Sequence, residues 1–545
     1  MPVVTLYFNR LQKILKRKTS REKILSTLPF LGVDIEEQTE DHVNIEYSPN
    51  RPDFSTDYGI ITGLKGLLGI ELGMPKLKIK KGKDIVKADP SVAKVRPYVT
   101  AIEARNGRLD DETIRQIIAM QEDLHNGIGR RRKKISIGIH DHDKIQFPAI
   151  YKTVEKSYKF IPLNSTEELS ISEILEKTET GIGYKHLIYG HEKVPIIIDS
   201  MGNTISFPPI INSKFTEVTN KTKNLFIEVT ATDKNAAEDT LAVVAYALQN
   251  AGFELFSVRI SGPRNSTPSL TTREMLLDPS LVNKTLGLDM KLPLIIKSLR
   301  RSRLDAKTKG RKILCKIPRY RTDIFGPIDL IEEIALGYGI QNLEPTIPQS
   351  VSTGQKNRVT VLLDAISSVM IGLGYSEVMN FSLVGKQIQY DLANRNPHNM
   401  ISVTDSKSQE HSTLRYAILP SLMDILSRNI HEQYPQKIFE IGTTFRRDHP
   451  VIEEISLGCV SAHNDASFTE IKSVLQSLLK TAFNLDCNTV RGEDPMFIQG
   501  RTASIFVNER KIGLIGEFAS QIIDNFKLRI PMAGFEIKLT GLIFD

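Results

Sequence analysis

The chain has 545 residues, 40% hydrophobic and 25% charged, with 26 prolines and 34 glycines spread along it. That length exceeds a single core and predicts about three or four domains, and no apolar run approaches the roughly 18 residues of a membrane-spanning helix. A net charge of +7 is compatible with a nucleic-acid partner without requiring one, since many basic proteins bind none. Three isolated cysteines, Cys315, Cys459 and Cys487, argue for a reducing cytoplasm and against a zinc module. The N-terminus MPVVTLYFNRLQK has neither the basic segment nor the small-residue cleavage site of a secretory leader.

Residues 1–85 read as a small α+β domain: a strand, helical stretches around 8–17 and 20–28, and short strands near 33–38 and 43–48. In YSPNRPDFSTDYGIITGLKGLLG, Ser55 or Thr56 caps a helix whose core face is Ile60, Ile61, Leu64, Leu67 and Leu68. Asn50, Arg51, Pro52 and Asp53 form a turn ahead of that helix, or a binding loop.

Residues 86–268 read as a mixed, strand-rich domain. A helix runs into the five basic residues Arg130 to Lys134, either a solvated face or a contact to RNA phosphate. A strand follows, carrying HDHD at 140–143. His140 and His142 share one strand face, but two histidines without a third ligand make a weak zinc site. From 194 to 233 the pattern is strand, Gly202-Asn203 turn, strand, double-proline loop and a strand over Leu225 to Thr230. Ser206, Asn212, Glu228 and Thr230 stand among apolar neighbours, either as a small-molecule pocket or as the outward side of a half-exposed strand.

Residues 269–347 form a compact domain, with helix starts at Asp278-Pro279 and Leu292-Pro293. Eight Lys/Arg and one Asp lie between Lys297 and Lys312, a helix surface or an RNA-facing edge. The domain ends in PRYRTDIFGPIDLIEEIALGYGIQNL. There Pro327 opens a helix with Leu330, Ile331, Ile334, Ala335 and Tyr338 inward. Asp329, Glu332 and Glu333 share the opposite face, and Asp323 can fold back over it. Four hard oxygens suit Mg²⁺ better than zinc; the helix dipole alone also favours acids in a first turn. Pro345, Pro348, Ser350, Ser352, Thr353 and Gly354 read as a linker.

Residues 348–545 form the last domain. Its first helix turns Leu362, Ala365, Ile366, Val369, Met370 and Leu373 inward and stops at Gly374, ahead of a strand over 375–383. Pro420 opens a second helix, Lys437–Arg446 is a strand, and Ser467 with Glu470 starts a third helix. Residues 501–507 and 511–518 alternate as a hairpin.

Four of these stretches, in this order, resemble the phenylalanyl-tRNA synthetase β subunit of archaeal and eukaryotic cytosolic type: NRPD, the 194–233 region, RTDIFGPIDLIEEIALGYG and FEIGTTFRRD. The resemblance implies an α+β multidomain chain, with small α+β and editing domains preceding a C-terminal class II synthetase-like antiparallel sheet. It implies an editing pocket in which Ile197, Ser206, Glu228 and Thr230 tell tyrosine from phenylalanine, with Asn212 in the shared loop. Position 228 is more often Asp in this family, so Glu228 adds a methylene. It also implies Mg²⁺ held by Asp323, Asp329, Glu332 and Glu333. FEIGTTFRRD resembles the second class II motif, with Arg446 placed for ATP phosphate. The opposing glycine-punctuated strand ending in arginine is missing, and GFEIKLTGLIFD supplies only Glu536 and Lys538. One clamp leaves nucleotide charge uncompensated, so the C-terminal domain is expected to be a non-catalytic interface, with no aminoacylation residue in this chain. A chain ending at Asp545 without a further anticodon-type domain fits the archaeal/eukaryotic type.

The function implied is that of one subunit of an α₂β₂ phenylalanine–tRNA ligase that uses ATP, with an α subunit and tRNA(Phe) as partners. This chain would hydrolyse mischarged tyrosyl-tRNA(Phe) with a positioned water. Editing is physically needed because an apolar pocket for phenylalanine rejects an added hydroxyl by only about a hundredfold. Two alternatives stand beside it: a non-catalytic tRNA-binding scaffold with a decayed pocket, and a stand-alone editing hydrolase.

Overall fold

Period-two alternation opens the chain as a strand: in Val3–Tyr7, Val4 and Leu6 are buried and Val3 is exposed. The structure, a computed structural model, describes residues 2–261, 266–269, 271–345, 347, 353–406 and 408–543. It divides into two units, Met1–Ile347 and Pro348–Asp545. Of the expected linker, Pro348, Ser350 and Ser352 lie outside the described residues, as does Asp545. Among the described residues no helix is long and apolar enough to cross a membrane.

In the first unit, Val3–Tyr7, His42–Tyr47 and Val33–Gln38 form a three-stranded sheet. The first helix stops at Leu15, not at residue 17, because Lys16 turns left-handed. Helix Asp57–Leu67 is capped by Thr56, whose side chain accepts from the Gly59 N–H. Gly59 is required there: a Cβ would lie 1.6 Å from the Asp53 carbonyl oxygen.

A ten-stranded sheet follows. From one end its order is Ile211–Asn212, Thr204–Phe207, Lys193–Ile198, Ala149–Glu155, Ile79–Ala88, Glu254–Ile260, Tyr98–Arg105, Leu225–Ala231 and Ile135–Asp141, with Ser266–Thr267 beside Glu254–Ile260. Leu225–Ala231 is buried throughout, so it is not the half-exposed strand its sequence also allowed. Its residues Leu225, Ile227, Val229 and Ala231 pack against helices Asp111–Asn126 and Lys234–Asn250. On the other face Phe226 meets Ile197, Ile205 and Tyr151.

The rest of the unit is a three-stranded sheet, Arg273–Leu277, Lys312–Ile317 and Asp305–Lys309, against helices Pro279–Leu286, Leu292–Arg301 and Pro327–Tyr338. The basic run here divides. Arg301 donates to the Gly337 and Leu67 carbonyls and Arg303 is buried beside Glu71, whereas Lys307, Lys309, Arg311 and Lys312 are exposed.

The second unit is a seven-stranded sheet in the order Ser376–Glu377, Gln436–Arg446, Ile452–Ala462, Met532–Lys538, Arg510–Phe518, Phe497–Val507 and Asn488–Arg491. All neighbours are antiparallel except the first pair. Helices Arg358–Gly372 and Phe468–Phe483 share one apolar core with it, and Leu419–Arg428 another. Two expectations are corrected. The 375–383 strand is only Ser376–Glu377 and Leu383–Val384, because the latter pairs instead with Thr413–Leu414. On Arg358–Gly372 only Ile366 and Met370 are buried; Leu362, Val369 and Leu373 are half-buried and Ala365 is exposed.

Candidate functional site

The ten-stranded sheet rolls until its two ends face each other. Ser136, Ile137 and Ile139 from one end and Ser206, Phe207 and Asn212 from the other line a cavity of about 460 Å³, a size that suits a small molecule. Arg132 joins the sides: its Nη1 donates to the Ile210 carbonyl (2.9 Å) and its Nη2 to Glu122 (2.9 Å), while the guanidinium lies 4.4 Å from the Tyr184 ring centroid. The price of this placement is backbone strain. Arg130, Arg131 and Arg132 have φ of 48°, 53° and 62°, a left-handed conformation that costs non-glycine residues about 1–2 kcal/mol each. His125 donates from Nδ1 to Glu122 (3.1 Å), while its Nε2 accepts the Ile137 N–H (2.9 Å). The His125 hydrogen bond, reinforced by Arg132 against burial, holds the Glu122 carboxyl down at about 2.

The five expected pocket residues separate into two layers. Ser206 pairs in register with Ile197 on one side and Asn212 on the other, and Ser206 and Asn212 line the cavity. Ile197 sits behind it in the apolar layer with Phe226. Glu228 and Thr230 are also buried and off the cavity, opposite Gly138 and Ser136 of the neighbouring strand. Thr230 accepts from Arg96 Nε (3.0 Å), and Arg96 Nη2 bonds the Thr230 carbonyl (2.9 Å); burial pulls the Arg96 guanidinium down to about 10. Glu228 Oε1 lies 3.9 Å from His140 Nε2. Among the described residues, neither Glu228 Oε2 nor His140 Nε2 has a hydrogen-bond partner. A Cβ at Gly138 would lie 2.4 Å from both Glu228 Oε1 and His140 Nε2, so only glycine admits this pair.

His140 and His142 do not share a face as expected. The strand ends at Asp141, and His142 opens a 3₁₀ turn. His140 Nδ1 instead lies 2.8 Å from Thr216 Oγ1. Arg96 was not singled out by sequence because a lone arginine has no spacing signal.

The four carboxylates expected to hold Mg²⁺ do not converge. Arg321 is fully buried and donates to both Asp323 oxygens (2.9 and 2.6 Å) and to Glu333. Although burial opposes it, Arg321 holds the Asp323 carboxyl below its ordinary value. Asp329 Oδ2 accepts the Phe325 and Gly326 N–H groups (2.6 and 2.8 Å), capping the helix. Glu332 is exposed and Glu333 buried, so the expected shared face is corrected: Glu333 turns inward to meet Arg321, with Arg51 Nη1 3.7 Å away. As placed, these donors fit an arginine and a helix end, and not one shared ion. Among the described residues, the cluster of three or more His, Cys, Asp or Glu with ligand atoms within 4.8 Å of one another is Asp84, Glu103 and His142.

In the second unit Arg446, Glu536 and Lys538 line a cavity of about 520 Å³. Several of its charges are paired within the chain. Glu536 accepts the Ile418 and Leu419 N–H groups (both 3.0 Å), Lys538 pairs with Glu454, and Arg395 with Asp494 (3.3 Å).

Three family models match the chain: B3/4 domain over 91–246, tRNA synthetase B5 domain over 275–340, and phenylalanyl tRNA synthetase beta chain CLM domain over 343–539. The chain is similar to the phenylalanine–tRNA ligase beta subunit of Archaeoglobus fulgidus, at 36% identity over 100% of this chain and 99% of that one. It is also similar to that of Methanocaldococcus jannaschii, at 38% identity over 99% and 100%. Among solved structures, an N-terminal fragment of the phenylalanyl-tRNA synthetase beta subunit from Pyrococcus horikoshii matches with a TM-score of 0.59 and 34% identity, covering 62% of this chain and 99% of the fragment. Similarity at this level, end to end across all three matched domains, means that the chain belongs to the phenylalanine–tRNA ligase β-subunit family, in its archaeal and eukaryotic cytosolic branch.

Proposed function

We propose that this chain is the β subunit of a cytoplasmic α₂β₂ phenylalanine–tRNA ligase, which with its α subunit attaches phenylalanine to tRNA(Phe) at the expense of ATP. Whole-length similarity to named β subunits carries this reading. The second unit acts as a class II-like, non-catalytic interface. Met379 (92% exposed) and Phe381 (74%) stand on its surface, the kind of apolar patch that an obligate partner covers with more than ~2,000 Å². Phenylalanine-dependent ATP–pyrophosphate exchange tests the assignment: activity is expected only after the α subunit is added, and exchange by this chain alone overturns it.

The rolled-sheet cavity is the editing site in this reading. Water adds to the tyrosyl ester carbonyl, the bond to the ribose oxygen breaks, and tyrosine and free tRNA leave. Ser206 and Asn212 make first contact, while Glu228 and Thr230 act from the layer behind, Glu228 through its unpartnered Oε2 toward the phenol. No Ser/His/Asp arrangement is invoked; the nucleophile is water. The scaffold reading is favoured by one observation, that Ile197, Glu228 and Thr230 sit off the cavity. Hydrolysis of tyrosyl-tRNA(Phe) decides between them: the editing reading expects it to fall in Glu228→Ala, and the scaffold reading expects none from the wild type.

Mg²⁺ enters this reading in reduced form. Glu332 and the outer edge of Asp329 are the donors available to an ion, whereas an ion held by all four carboxylates requires Arg321 to leave Asp323 and Glu333.

A further inference from the structure

Three side chains from separate stretches meet away from the editing cavity. Asp84 lies on strand Ile79–Ala88, Glu103 on Tyr98–Arg105, and His142 opens the turn His142–Lys144. His142 Nε2 is 2.7 Å from Asp84 Oδ2 and 3.1 Å from Glu103 Oε1. These separations are close to the ~3.3 Å edge of a tetrahedron with bonds of about 2.0 Å.

The backbone is shaped to make this meeting. Pairing between Ile79–Ala88 and Glu254–Ile260 steps from Lys81 opposite Ser257 to Ile85 opposite Arg259, so Gly82, Lys83 and Asp84 bulge opposite Val258. Bulges re-aim side chains. This one depends on Gly82, where a Cβ would lie 2.0 Å from the Ser257 carbonyl oxygen. The imidazole stacks on Phe147 (centroids 5.3 Å apart), and Asp143 Oδ1 lies 3.6 Å from Nδ1, beyond hydrogen-bond reach.

Internal ion pairs leave one group unanswered. Glu103 is 0% exposed, and its Oε2 has no hydrogen-bond partner among the described residues, although Arg105 donates to Oε1. A buried carboxylate oxygen without a partner is costly, and here it belongs to the carboxylate that faces His142 and Asp84.

We propose that Asp84, Glu103 and His142 bind a divalent first-row transition ion. One imidazole with two carboxylates selects zinc or manganese over magnesium and calcium, which prefer all-oxygen sites. The ion ties two strands and a turn together, and Arg105 is its internal competitor. This inference does not rest on the editing reading.

The test is titration of the chelator-stripped full-length chain with ZnCl₂ against a chromophoric competitor. One zinc per chain is expected, and His142→Leu, an apolar replacement, should weaken it by about tenfold or more. Arg105→Met removes the competing cation and should tighten zinc, an effect that a purely structural cluster would not show. Absence of stoichiometric zinc in the wild type, or zinc retained unchanged in a folded His142→Leu chain, overturns the proposal. Should His142→Leu fail to fold, Arg105→Met decides alone: unchanged affinity overturns it.

Discussion

Arg51 of the N-terminal loop reaches Glu333 of the acidic helix, its Nη1 3.7 Å from Oε1, and there joins Arg321 on the same carboxylate. Arg51 also grips Asp53 (2.9 and 2.8 Å) and lies 3.7 Å from the Phe54 ring centroid. Two motifs far apart in sequence are thus one buried network, and the positive charge at its centre is guanidinium.

Removing Arg321 takes from two buried anions their main counter-charge and leaves them only Arg51. Arg321→Met should destabilise the chain by about 3–5 kcal/mol in chemical denaturation, since Asp323 and Glu333 lose their main counter-charge. Asp323→Ala should lose stability equally in magnesium and in chelator, because what it loses is Arg321. A loss seen only with magnesium would instead show an ion shared by all four carboxylates.

Acid should loosen the cavity wall first at His125 and then at Glu122. Burial lowers the His125 pKa from 6.5, so its neutral ring contributes stability that falls away as pH drops below the unfolded value. Glu122 is depressed to about 2, so its contribution is present above the ordinary carboxylate value of about 4.3 and is lost as pH falls toward 2. The protection of the Ile137 amide, whose N–H is held by His125, should decline relative to its intrinsic exchange rate below about pH 6.5, ahead of global unfolding. A protection factor that stays constant down to pH 5 would contradict this.

If the rolled-sheet cavity edits as proposed, Gly138→Ala should damage that activity more than folding. The added methyl must displace Glu228 or His140, a strain of about 1–3 kcal/mol. Hydrolysis of tyrosyl-tRNA(Phe) is expected to fall at least as far as in Glu228→Ala, with aminoacylation by the assembled ligase unchanged. Gly183→Ala, where nothing lies within 4 Å, is the control.

Phe381→Glu should block assembly with the α subunit while leaving the chain folded, because residue 381 is already 74% exposed. Light scattering of the mixed subunits reads the outcome directly; a normal heterotetramer would remove Phe381 from the interface.

Local chemistry made much of this legible in sequence. Thr56, Asp278 and Ser467 each cap the helix they precede, and Pro327 and Pro420 stand in the first turns of theirs. What stayed hidden depends on distant pairing. Nothing near residue 206 announces that its strand end will face residue 136 across a rolled sheet. Glu332 and Glu333 look alike in a helical wheel, and only Arg321 and Arg51 decide that one is buried. The HDHD run suggested that its histidines belong together, yet Thr216 takes His140, and Asp84 and Glu103 take His142.

Glu536 carries a consequence of a different kind. A helix N-terminus is a ready anion site, and the amides of Ile418 and Leu419 at the start of Leu419–Arg428 are already held by this carboxylate. The protein therefore wears a tethered phosphate mimic inside its second cavity. An incoming anion would reach these two amides only by displacing a carboxylate that belongs to the chain itself and never diffuses away.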